Sequence, residues 1–99
     1  MARQEVQLLW SNPALQQLHD AYAFIALDKP SAAARMVDRI EQATHQLRAF
    51  PQMGRPSARP KTREFAVPQT PFILVYQVTG ETVYIAALLH GAQNWKGNL

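Results

Sequence analysis

At 99 residues, with 47% hydrophobic and 17% charged side chains, the chain has the length of one domain and is too apolar for a disordered segment. It holds no cysteine, which excludes a disulfide framework and a thiolate metal site and fits a reducing compartment. Its net charge of +3 is unevenly spread: residues 1–50 balance five basic against five acidic groups, whereas residues 51–63 carry Arg55, Arg59, Lys61 and Arg63 and no acid. An excess so localised points to an anionic partner at one place. No apolar run approaches the ~20 residues of a membrane span. The opening MARQEVQLLW is interrupted by Glu5 and does not suit a secretory signal, so a soluble, cytoplasmic chain with no membrane partner is expected.

The elements follow in chain order. EVQLLW, residues 5–10, sets Val6, Leu8 and Trp10 at alternate positions, the pattern of a strand with one buried face. Asn12 before Pro13 is expected to cap a first helix. Leu15, Leu18, Tyr22, Ile25 and Ala26 would form its apolar face, and Pro30 ends it at Asp28. A second helix opens at Pro30, with Ala33, Met36, Val37, Ile40, Ala43, Leu47 and Phe50 on one side, and stops at Pro51 and Gly54. At 1.5 Å per residue it would run ~30 Å, antiparallel to the first. Residues 51–62, PQMGRPSARPKT, read as a loop long enough to carry function.

Strands fill the remainder: 63–67, then a turn over 68–71, then 72–78, a TGET hairpin turn using Gly80, and 83–89. FILVYQV and VYIAALL are apolar almost throughout and need cover on both faces or a deep central position. The helices cover one face; the occupant of the other is left open. The order β-α-α-β-β-β gives a single α+β domain over 1–99, a two-helix hairpin packed on a four-stranded, mainly antiparallel sheet.

Few residues offer chemistry. Three scattered histidines show no metal-ligand spacing, no phosphate-cradling glycine loop exists, and paired acids are missing, so neither metal nor cofactor is expected. His90 ends the last strand, where an imidazole serves as acid or base or merely as a surface residue. Tyr76 reads either as a core tyrosine with a satisfied hydroxyl or as a group reaching a site beside His90. Arg63 and Glu64 are neighbours on one strand and point to opposite faces. Cations plus an imidazole suit phosphodiester chemistry better than hydrolysis of sugars or peptides.

Taken in order, several short pieces resemble one family: W-S-x-x-A at Trp10, Ser11 and Ala14, AAxR ending at Arg35, P-x-x-G-R from Pro51 to Arg55, Arg63-Glu64, P-F-x-x-x-Y from Pro71 to Tyr76, and H-G at 90–91 followed by Gln93 and Trp95. Together they resemble the RelE/ParE superfamily of toxins of type II toxin–antitoxin modules. The resemblance implies a growth-arresting toxin of the plasmid-stabilisation kind, neutralised by a cognate antitoxin laid across its helices and sheet, and touching operator DNA only indirectly through that antitoxin. RelE-like members cut messenger RNA on the ribosome without a metal; ParE-like members poison DNA gyrase. On the RelE-like reading, His90, Arg63 and Tyr76 would be catalytic. On either reading, Arg55, Arg59, Lys61, Arg63, Gln93 and Trp95 would meet the target or another anion. Strand FILVYQV carries no cation where ribonuclease members often place one, and the long helix pair with the H-G-A-Q-x-W ending looks more ParE-like.

Overall fold

The computed structural model describes residues 6–91. Strand β1 (Gln7–Trp10) leads into helices α1 (Asn12–Asp28) and α2 (Pro30–Ala49), which fold back on each other through Lys29 alone. Lys29 is held extended at φ −149° by the proline that follows it. Then come β2 (Arg55–Pro56), β3 (Arg63–Ala66), β4 (Phe72–Thr79) and β5 (Thr82–His90). The sheet order is β1-β5-β4-β3-β2, with β1 parallel to β5 and every other pair antiparallel. The expected four strands are therefore five. The extra one lies inside the segment read as a loop, and its Pro56 is tolerated because β2 is an edge strand among the described residues.

The helices cover one face of the sheet. Ala33, Met36, Ile40, Ala43 and Leu47 of α2 are buried there with Leu74, Tyr76, Val83, Ile85 and Leu88, each large aliphatic side chain contributing about 1.5–3 kcal/mol. Three expected positions are corrected. The inner face of α1 runs through Ala14, Leu18, Ala21 and Ile25, leaving Leu15 and Tyr22 48% and 42% exposed. Alanines at that face let the helix lie close to the sheet. Phe50, expected at the end of the α2 stripe, stands past the last helical turn and is exposed.

The cap of α1 is also corrected, to Ser11 rather than Asn12. The Ser11 hydroxyl accepts the Ala14 N–H at 3.1 Å and donates to the Ala86 carbonyl at 3.0 Å. The second bond reflects an irregularity in β5. Val75 pairs with Ala87 but Tyr76 pairs with Ile85, so Ala86 is an extra residue. The bulge resets the alternation, placing Val83, Ile85 and Leu88 all against the helices, and so accounts for an unbroken apolar run. Beyond Trp10, β5 has lost its parallel neighbour. There Gln17 of α1 accepts the Leu88 N–H at 2.8 Å and the Ser11 hydroxyl donates to the Ala86 carbonyl, so these two ladder groups are satisfied by α1 and its cap. On the outer face, Leu9, Tyr84 and Gln77 form one row, with Leu9 and Tyr84 well exposed.

Candidate functional site

The three residues put forward for phosphodiester chemistry do not meet. His90 pairs with Phe72 at one end of the sheet, its ring edge-on to the phenyl at a centroid distance of 5.4 Å. Tyr76 lies four residues further along β4, roughly 13 Å away at strand spacing. The expectation that its hydroxyl reaches a site beside His90 is corrected, and the core reading of Tyr76 holds: the residue is fully buried on the helix side of the sheet.

Tyr76 and Arg63 are direct cross-strand partners, and both act on the turn that leaves α2. The Tyr76 hydroxyl donates to the Pro51 carbonyl at 2.8 Å and accepts the Gly54 N–H at 2.9 Å. The Arg63 guanidinium donates to the carbonyls of Gly54 at 2.7 Å and Gln52 at 3.3 Å. Between them, two side chains satisfy four main-chain groups of residues 51–54. Burial pushes the Tyr76 phenol above its usual 10.0, against smaller lowering effects of the Gly54 hydrogen bond and the Arg63 charge. Gly54 is required by this arrangement, because a Cβ there would stand 2.5 Å from the Tyr76 hydroxyl and 2.7 Å from the Glu64 carbonyl.

Arg63 and Glu64 do point to opposite faces. Glu64, 5% exposed, lies on the outer face and is reached by Arg55 of the adjacent strand at 3.3 Å. A buried carboxylate needs such a partner. Arg59 and Lys61 stand exposed at the tip of the β2–β3 hairpin. Gln93 and Trp95 lie outside the described residues.

The opposite end of the sheet carries a feature that periodicity did not reveal. A groove of about 560 Å³ runs between the helical hairpin and the turn before β4, floored by Ala21, Ile25, Met36 and Phe72 and flanked by Phe24, Arg35, Arg39 and His90. Phe24 is 76% exposed and nearby Leu27 87% exposed, large apolar surfaces that a monomer rarely leaves open without a use. The available signal was Phe24 and Leu27 falling off the helix's inward stripe. The far wall includes Gln69, held at φ 63° after Pro68 in a turn closed by the Thr70 N–H to the Val67 carbonyl. Among the described residues no group of His, Asp and Glu is placed to hold a metal ion, and no helix is long and apolar enough to cross a membrane.

This scaffold and its motifs find counterparts. The family described as ParE toxin of type II toxin-antitoxin system, parDE, matches residues 8–95. The chain belongs to that family. Y4kP of Sinorhizobium fredii is 36% identical over 95 residues, covering 96% of each chain. Toxin ParE3 of Caulobacter vibrioides is 38% identical over 69 residues, 68% of this chain and 67% of that one. Among solved structures, the chromosomal ParDE toxin–antitoxin system of P. aeruginosa superposes with a TM-score of 0.77 at 25% identity, covering 86% of this chain and 95% of that one. The protein is thus a type II toxin of the ParE/RelE superfamily, and a cognate antitoxin is its expected companion.

Proposed function

We propose that this ParE-family toxin acts in the ParE manner, binding DNA gyrase and holding it on cleaved DNA, rather than as a ribosome-dependent ribonuclease. One observation supports this reading above the others: each residue a metal-free ribonuclease would recruit already has a structural task or stands apart. Tyr76 and Arg63 are spent on the main chain of residues 51–54, and His90 lies at the other end of β4. Metal-free cleavage needs several donors converging on one phosphate, and losing one such donor typically costs ~10²–10³ in rate.

In this reading the apolar groove seats the antitoxin. Its floor offers Met36 and Phe72, and the Arg35 and Arg39 side chains, one helical turn apart, suit acidic groups flanking an apolar segment. Arg55, Arg59 and Lys61, with Gln93 and Trp95, are the residues assigned to the gyrase–DNA complex; Arg63 acts by holding the turn at residues 51–54 that leads into β2.

Expression in cells tests the choice. Induction of the DNA-damage response with intact transcripts is the expected result, together with gyrase-trapped cleaved DNA. Codon-positioned cuts in messenger RNA without a gyrase phenotype would reject it. His90→Ala adds a residue-level check, because this side chain is exposed and lies outside the core: toxicity should survive, and its loss with fold and antitoxin binding intact would favour phosphodiester chemistry.

A further inference from the structure

The four cations of residues 51–63 part company in the fold. Arg63 turns inward onto main-chain carbonyls, and Arg55 leans on the buried Glu64. Arg59 and Lys61 remain at the hairpin tip, and the tip is stiff. Ser57 N–H donates to the Thr62 carbonyl at 2.9 Å, and the Thr62 hydroxyl and N–H both reach the Arg59 carbonyl, at 2.9 and 3.4 Å. Pro60 and Lys61 are the central residues of that turn, and Lys61 sits at φ 64°. This is the position where a turn with proline first strongly prefers glycine, since a Cβ there crowds the backbone. A lysine at such a position is a backbone outlier, as Gln69 is at the other end of the sheet, and here the outlier holds a cation outward at the tip.

The tip's composition narrows the ligand. Ser57, Ala58 and Pro60 offer no large apolar anchor, whereas protein interfaces concentrate their energy in buried aromatic and large side chains. No aromatic residue lies between 55 and 62, so the tip itself offers unstacked bases no platform. A rigid pair of cations without anchors matches a regular array of phosphates, which are neutralised by charge and need neither.

We infer that the β2–β3 hairpin, through Arg59 and Lys61, contacts the backbone phosphates of duplex nucleic acid directly and without reading sequence. The contact is the toxin's own, in addition to any made through an antitoxin. It does not depend on gyrase being the target, and its test contains no gyrase.

The test is fluorescence anisotropy of the full chain with a short labelled DNA duplex of random sequence. Two phosphate contacts set a salt slope of about −1.8, so affinity should fall about tenfold or more between 50 and 200 mM salt. Arg59→Ala combined with Lys61→Ala should flatten the slope by about 1.8. Lys29→Ala removes one charge at the far end of α2, a helix ~30 Å long, and should leave the slope unchanged. Lys61→Gly gives the sharpest readout. It relieves the left-handed backbone and should raise the unfolding temperature, yet it should lose about 0.9 of the slope. A purely structural Lys61 would not produce that pairing. Wild-type slope in the double variant, or polyglutamate bound as tightly as the duplex, overturns the inference.

Discussion

The two ends of this sheet are built on opposite plans. At the Tyr76 end, four main-chain groups of residues 51–54 are tied down by two side chains, a buried carboxylate is paired, and a cationic hairpin projects from the locked base. At the His90 end, an apolar groove opens between the helical hairpin and the turn before β4, with Phe24 and Leu27 bare beside it. Each end carries a proline-led turn whose second central residue, Lys61 or Gln69, takes a left-handed backbone without being glycine. The lesson is one of division of labour. Polar side chains rigidify one end and apolar side chains wait at the other, so stability and partner binding should respond to different substitutions.

The largest expected break in that contrast comes from Gly54→Ala. The new methyl would displace the Tyr76 hydroxyl or the β3 backbone. Overpacking together with lost buried hydrogen bonds should lower stability by about 3–5 kcal/mol, read by chemical denaturation. Tyr76→Phe keeps the ring and removes the hydroxyl, leaving the Gly54 N–H and Pro51 carbonyl without their partner. A loss of about 1–3 kcal/mol should follow. This variant also carries a pH signature. The folded phenol ionises above its ordinary 10.0, so below that pH both states are protonated and the group adds no pH dependence. As pH rises past 10, the unfolded chain releases its proton first and wild-type stability declines; Tyr76→Phe should lack that decline. A wild-type and variant falling in parallel above pH 10 would contradict the buried clamp.

The smallest effect on stability is expected in the groove, and it sharpens the comparison. Phe24→Asp alters an exposed side chain and should shift stability by no more than about 0.5 kcal/mol. Titration with the cognate antitoxin should show roughly 30-fold weaker binding, the loss of an aromatic anchor on the groove's flank. Equal antitoxin affinity would remove the groove from the interface; a large fall in stability would mean that the two ends are not separate.

Much of the architecture was legible because it rests on local rules. Pro30 after Lys29 divides the helices, the spacing from Ala33 to Leu47 names the buried stripe of α2, and Gly80 marks the β4–β5 turn, adopting φ 58° there. The misreadings share a cause. Leu15 and Tyr22 fit a helical stripe as well as Ala14 and Ala21 do, and only the distance to the sheet prefers the smaller pair. Arg55-Pro56 reads as loop because a two-residue edge strand has no period of its own. The apolar run of β5 hides the bulge at Ala86, which appears only when the partner strand and Ser11 are in place.

For the candidate site the gap was wider. His90, Arg63 and Tyr76 are the right residue types for chemistry, but type says nothing about where a side chain is already engaged. The adjacent pair Arg63-Glu64 was read correctly as facing two ways, since strand alternation is a local property. That Arg63 would grip the Gly54 carbonyl and that Glu64 would hold Arg55 depended on which strands lie alongside.

Helix limits, turn positions, the family and the clustering of positive charge were written in the order of residues, because each depends on neighbours a few positions apart. Which cations remain outward, which tyrosine is consumed as a brace, and where apolar surface stays open were decided only by the folded chain. Those outcomes depend on hydrogen-bond partners and cover supplied by residues far away along the chain, as Tyr76 and Pro51, 25 positions apart, illustrate.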